Sequence, residues 1–180
     1  MNNRPVLTLT IHTHARDATH AIGAQIGRMV GGGQVLALCG DLGAGKTTLV
    51  QGIAAGMGIS TRVTSPTFVL VNEYAANGRK LVHIDAYRLA EETTLADAAT
   101  LGLADMLDEA DMDGVNVIAV EWADRIRSLF PADLLQIEIT ADADEPDGRT
   151  LLITATGAQS SAVLAQLSML HAGPPGKCEA

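Results

Sequence analysis

Residues Gly40-Asp41-Leu42-Gly43-Ala44-Gly45-Lys46-Thr47 satisfy the pattern G-x-x-x-x-G-K-[ST] at every fixed position. An apolar run, Val35-Leu36-Ala37-Leu38-Cys39, precedes them, and a helix is expected to follow over 47–57. A strand, a Gly-rich loop and a helix in that order belong to an α/β chain whose sheet presents the loop at its carboxyl edge. The glycines let successive backbone N–H groups turn inward around an anion, and the helix N-terminus adds roughly half a positive charge. The stretch Asp41, Leu42, Gly43, Ala44, Gly45, Lys46, Thr47 and Thr48 is therefore expected to cradle phosphates. In it Lys46 would reach the outer phosphates of a nucleotide, and the Thr47 hydroxyl would hold a Mg²⁺ ion.

Composition narrows the setting. Hydrophobic residues make up 47% of the chain but aromatics only 3%, an aliphatic bias that suits a helix-covered, mainly parallel sheet. The net charge is −9, with no run of Lys and Arg, which argues against a groove that wraps a polyanion unaided. Two cysteines, Cys39 and Cys178, make no disulfide framework and suit a reducing compartment. Residues 1–5 lack the layout of a signal peptide and no apolar run reaches ~18 residues, so a cytoplasmic protein without membrane contact is expected.

Alternation over 6–11 reads as a half-buried strand, and Ala18, Ile22, Ile26 and Met29 recur at helical spacing within 15–30, which Gly31-Gly32-Gly33 stops. After the loop helix comes the polar turn Val63-Thr64-Ser65-Pro66-Thr67-Phe68, where Pro66 prevents a regular central strand. Strands are expected over 68–74 and 80–85, joined across Asn77-Gly78 as a hairpin. Residues 95–107 read as a helix interrupted by Gly102, and the acidic run 105–113 as a solvated loop. A clean buried strand, Val117-Ile118-Ala119-Val120, ends at Glu121-Trp122; 134–140 and 150–156 form a further hairpin. A short helix over 161–170 precedes a frayed tail.

A phosphate loop needs an acidic partner for Mg²⁺ and a group that senses the γ-phosphate. Asp85 and Glu121 each end an apolar strand, where a carboxylate can face the loop; the plainer alternative for either is a helix cap or a solvated end. Loop helix, polar turn, hairpin and then Asp85 is the order of a GTPase switch, and Thr67 is the expected switch hydroxyl among Thr64, Ser65 and Thr67. No Asn-Lys-x-Asp is present, which weighs against guanine, and no Arg-bearing lid is evident, which weighs against a small nucleoside-type kinase. Arg88 is either a phosphate-facing cation or a surface residue. Trp122 is either a packed rim residue or part of a switch. His12, His14 and His20 have no metal-ligand spacing, and His83 reads as half-buried structure.

Gly40 to Leu49, Ser65-Pro66-Thr67-Phe68, His83-Ile84-Asp85-Ala86-Tyr87-Arg88-Leu89 and Val120-Glu121-Trp122 together resemble the bacterial TsaE family, over roughly residues 6–157. That resemblance implies a P-loop NTPase fold, α/β, with a mainly parallel sheet flanked by helices and added antiparallel β-hairpins. It implies an ATPase, slow by itself, with ATP and Mg²⁺ as ligands. The family works with the TsaD and TsaB proteins, which transfer threonylcarbamoyl to adenosine 37 of tRNAs reading codons that begin with A. ATP turnover is expected to reset the TsaD–TsaB complex, so tRNA contact would be indirect. A nucleotide-gated module without essential hydrolysis and a small P-loop kinase are the alternatives. Carried onto this sequence, the resemblance gives catalytic roles to Lys46, Thr67, Asp85 and Glu121 and metal contacts to Thr47, Glu121 and Asp85. It places Arg16 and Thr19 beside the adenine, Gly148 and Arg149 over the nucleotide, and Tyr87, Arg88 and Trp122 at a switch or partner surface. The ATPase domain is expected over 1–157, with a C-terminal helix and tail over 158–180.

Overall fold

A computed structural model of the chain describes residues 7–89, 102–103, 105–107 and 114–171. Strand β1 (Leu7–Thr13) leads into helix α1 (Arg16–Met29), then β2 (Val35–Cys39) and helix α2 (Lys46–Gly56). The β3–β4 hairpin (Val71–Ala76, Arg79–Asp85) runs into a 3₁₀ turn, Ala86–Arg88. Strand β5 (Asn116–Glu121) is followed by a kinked 3₁₀ segment, Ala123–Leu129. The hairpin β6–β7 (Leu134–Ala141, Arg149–Ala155) precedes the last helix, α3 (Ala158–His171).

The seven strands form one sheet in the order β1-β7-β6-β2-β5-β4-β3. Only the middle of it is parallel: β6, β2, β5 and β4 run together, whereas β3, β7 and β1 are antiparallel to their neighbours. The sheet is therefore mixed, not mainly parallel. The two hairpins are the reason, because a tight turn can only return the chain antiparallel. At Asn77-Gly78 both residues take positive φ (55° and 75°), as the favoured two-residue turn requires. The expected strand over 68–74 begins later, at Val71. Phe68 lies in a turn closed by Val69 and Leu70 N–H groups donating to the Pro66 carbonyl.

Alternation along the central strands splits the core in two. Leu36, Leu38, Leu81, Val117 and Ala119 pack under α1, α2 and α3 with Ile22, Ile26, Leu49, Ile53 and Leu164. Val35, Ala37, Val82, Ile84, Ile118 and Val120 face the other way and meet Leu103, Leu107 and Ile126. Each such fully buried aliphatic side chain contributes roughly 1.5–3 kcal/mol. Helices α1 and α2 touch backbone to backbone: a Cβ on Gly27 would lie 2.0 Å from the Ile53 carbonyl oxygen, and one on Gly52 would lie 2.1 Å from that of His20. This close crossing holds α2, and hence the loop at its N-terminus, against the sheet. Of the expected helix over 95–107 and acidic loop over 105–113, Leu103 and residues 105–107 are helical, Gly102 sits in a turn at positive φ, and Met106 N–H donates to the Gly102 carbonyl; residues 95–101, 104 and 108–113 lie outside the described residues.

Helix α3 is capped from a distance. Asp133, in the loop before β6, accepts from the N–H groups of Gln159 (2.7 Å) and Ser160 (3.0 Å), doing for Gly157 what its absent side chain cannot. Partial burial of the Asp133 carboxyl acts to raise its pKa, but hydrogen bonds from the Ser160 side chain and from backbone N–H groups outweigh it, and the net shift is downward. A lowered folded pKa gives stability that is full above the unfolded carboxyl range and is lost as pH falls through the folded value. Asp133→Ala is expected to cost about 1 kcal/mol at neutral pH. Urea denaturation should show the difference between the two proteins narrowing below about pH 4.

Candidate functional site

The loop after β2 turns sharply, with Gly40, Gly43 and Gly45 all at positive φ, and delivers Lys46 into the first turn of α2. Lys46 is buried. Its Nζ donates to the carbonyls of Gly40 (2.6 Å) and Asp41 (2.8 Å) and lies 3.7 Å from the centroid of the Trp122 ring. Burial lowers the Lys46 pKa, and the carboxylates of Glu121 and Asp85 oppose that fall. Trp122 reaches this position through a left-handed backbone (φ 59°, ψ 40°), uncommon for a bulky residue and costing roughly 1–3 kcal/mol. The strained turn directly after Glu121 brings the indole back over the lysine.

Parallel pairing of β4 with β5 sets Asp85 opposite Glu121. Both carboxylates are almost fully enclosed, at 2% and 3% exposure. Glu121 accepts from Thr47 Oγ1, at 2.8 Å to Oε1 and 3.0 Å to Oε2, and His83 Nε2 stands 2.9 Å from Oε1. Asp85 Oδ2 accepts from Ser65 Oγ at 2.5 Å and from Thr67 Oγ1, while Oδ1 accepts the Tyr87 N–H and caps the 3₁₀ turn. The capping role and the site-facing role considered for a strand-end acid thus fall to one carboxylate, one oxygen each. A cleft of about 530 Å³ joins the groups, lined by the loop, Thr67, Asp85, Tyr87, Glu121 and Trp122.

Arg16 and Thr19 line a second hollow of about 250 Å³ together with Gly43, Gly45, Thr48, Asp147 and Arg149. Arg16 Nε donates to Thr48 Oγ1 (3.4 Å), and Thr19 Oγ1 shares a 2.9 Å hydrogen bond with Thr13. Arg149 does not point outward. Its Nε donates to the Ala44 carbonyl at 2.9 Å, and its other nitrogens donate to the carbonyls of Gly43, Pro146 and Gly148. The guanidinium thereby ties the β6–β7 turn to the Gly-rich loop. Gly148 lies within that turn, its N–H donating to the Glu145 carbonyl. Leu42 is exposed at the loop tip.

Tyr87 and Trp122 stack at 5.0 Å, with the Arg125 guanidinium over both rings. Arg88 is exposed and turns instead toward Phe68, 4.5 Å from its ring, so of its two readings the surface one describes its position. His14 sits outside the site, exposed and 2.6 Å from Glu145, whose hydrogen bond and charge raise its pKa. Cys39 is partly buried, and that burial raises its thiol pKa. Among the described residues no group of three His, Cys, Asp or Glu side chains converges as a metal cluster.

Three further residues join the site, one of them a hydroxyl weighed against Thr67 and two not expected there. Ser65 shares Asp85 with Thr67, Arg125 covers the ring stack, and His83, expected to be half-buried structure, is wholly buried against Glu121. Strand periodicity held the signal for His83, which lies two residues before Asp85 and on the same face.

A strand–loop–helix cradle, a buried lysine and two enclosed strand-end carboxylates define an α/β protein with a polar cleft at the carboxyl edge of its parallel strands. The family model described as Threonylcarbamoyl adenosine biosynthesis protein TsaE matches residues 13–151. The chain belongs to the TsaE family. It is 40% identical over 136 residues to the tRNA threonylcarbamoyladenosine biosynthesis protein TsaE of Bacillus subtilis, covering 76% of this chain and 78% of that one. To the protein of the same name from Streptomyces coelicolor it is 32% identical, covering 83% and 97%. The crystal structure of Bacillus subtilis YdiB superposes with a TM-score of 0.73 at 32% identity, covering 94% of this chain and 99% of that chain.

The Arg149 tether gives a stability prediction. Arg149→Ala is expected to cost about 1–3 kcal/mol in chemical denaturation, because the carbonyls of Gly43 and Ala44 lose a charged donor. Arg149→Lys should recover little of it, since one ammonium cannot serve both the turn and the loop.

Proposed function

We propose that this chain is the ATP-binding and ATP-hydrolysing subunit of tRNA threonylcarbamoyladenosine formation, built on a P-loop NTPase fold. One observation carries the reading: Thr47 and Glu121 are hydrogen-bonded to each other, in a cleft shared with buried Lys46 and with Asp85. The names of the relatives supply the pathway.

The residues present fit a nucleotide with Mg²⁺. Hydroxyl and carboxylate oxygens from Thr47, Glu121 and Asp85 are the hard donors that this ion takes, and they adjoin a loop whose N–H groups suit phosphate. When bound, the ion offsets charge on the phosphates. Lys46 exchanges its Gly40 and Asp41 carbonyl partners for phosphate oxygens. Asp85 and Glu121 would orient the attacking water, one of the two carboxylates accepting its proton, and Thr67, held by Asp85, would register the γ-phosphate. Arg16 and Thr19 border the hollow for the base. The side with Tyr87, Trp122 and exposed Arg88 faces partners.

Those partners are TsaD and TsaB, and ATP turnover resets their complex between rounds of transfer to tRNA. The net charge of −9 suits a subunit that leaves tRNA to the others. Among the described residues no helix is long and apolar enough to cross a membrane, and cytoplasmic placement follows from the pathway. Residues 1–157 carry this chemistry, and helix α3 adds Val163, Leu164 and Leu167 to the core beneath it.

Reconstitution with TsaD, TsaB and tRNA tests the reading by counting modified tRNA per complex with and without this chain. Lys46→Ala is expected to weaken ATP binding about 10- to 100-fold in calorimetry, through loss of a contact worth ~1.5–3 kcal/mol, and to hold the count near one. Glu121→Ala should retain binding yet also halt repeated rounds. Multiple rounds without hydrolysis in that variant would instead favour a nucleotide-gated docking module.

A further inference from the structure

We infer that His83 is a positioning residue for the reaction, holding the Glu121 carboxylate from behind so that its free face meets the nucleotide. The inference rests on the nucleotide-hydrolysing reading of the same cleft. His83 is 0% exposed, and its Nε2 lies 2.9 Å from Glu121 Oε1. An ionised carboxylate only accepts, so the imidazole donates there from Nε2. Among the described residues Nδ1 is buried without a hydrogen-bond partner. Filling the core is a task for an apolar residue, as at Leu81 on the same strand face; a buried imidazole with one nitrogen unsatisfied is costly by comparison. Its single polar contact is a carboxylate that lines the cleft.

The sheet makes the contact possible. Register pairs His83 with Ala119 and Asp85 with Glu121, so His83 and Glu121 are diagonal neighbours on one face of adjacent strands. Ala119 opposite His83 has only a methyl group, which leaves the ring room to lean toward Glu121. Thr47 is the other donor to that carboxylate, and it reaches both oxygens with one proton. A proton shared between two oxygens sets the carboxylate's rotation only loosely, and His83, on Oε1 alone, fixes it.

The test compares wild type, His83→Leu, His83→Gln and Glu121→Gln, with the double variant of His83→Leu and Glu121→Gln, in the reconstituted complex. Imidazole ¹H–¹⁵N spectra of the isolated chain are recorded for wild type and Glu121→Gln. With His83→Leu, kcat is expected to fall about 10- to 100-fold while KM for ATP stays within about threefold. His83→Gln, whose amide can donate from a similar place, should recover much of the loss. In a Glu121→Gln background His83→Leu should cost nothing further. The His83 Nε2–H resonance should move on Glu121→Gln. An unchanged kcat in His83→Leu, an equal loss in the glutamine and leucine variants, or an additive double variant overturns the inference. If His83→Leu fails to fold, His83→Gln and the spectra decide it. If wild type does not turn over ATP, the functional reading fails separately; an Nε2–H signal unmoved by Glu121→Gln then rejects the positioning role on its own.

Discussion

Two buried carboxylates side by side are the condition that the rest of this molecule has to satisfy. Asp85 and Glu121 face each other across the parallel β4–β5 ladder with almost no exposure to water. Removing an ion from water without partners costs roughly several kcal/mol. The chain meets that cost locally. Ser65, Thr67 and the Tyr87 N–H serve Asp85, Thr47 and His83 serve Glu121, and the Lys46 ammonium lies close by. The donors come from separate stretches of chain, so the pair draws the polar turn, the Gly-rich loop and two strands to one point. Carboxylates held by this many fixed donors are rigid, and the same rigidity suits a site in which charge must be met without rearrangement.

Lys46 shows how the opposite charge is kept. Its ammonium is held by carbonyls of its own loop and by the face of Trp122. Neither partner is an anion, so the lysine is not locked into an ion pair. The left-handed backbone at Trp122 is the local cost of bringing an aromatic ring to that spot. Tyr87 and Arg125 extend the stack outward, which connects the floor of the cleft with the protein surface through four side chains in contact.

Much of this was legible in the sequence, and the parts that were not share a cause. The loop, Thr47, Asp85 and Glu121 were readable because each is tied to a local pattern: a fixed spacing, or an acid closing an apolar run. The hairpin at Asn77-Gly78 was readable for the same reason. What a single chain does not spell out is sheet order. The parallel middle and antiparallel flanks depend on which strands become neighbours, and that choice also decides that His83 leans on Glu121 and not on solvent. Arg149 is a similar case. The family resemblance placed it over the nucleotide; pairing of β6 with β7 sets it against the carbonyls of the Gly-rich loop, on the rim of the hollow that Arg16 and Thr19 also line.

The turn at Asn77-Gly78 lies at the end of β4 away from Asp85, seven to eight residues from it along the chain. Yet strands have a two-residue repeat, and sliding β4 by a single step would swing Leu81, His83 and Asp85 to the far side of the sheet while Val82 and Ile84 took their places. The tight bend pins β4 to β3, and parallel pairing carries that alignment across to Glu121. A pair of small residues at the rim thus serves as the ruler against which two distant acids are set level.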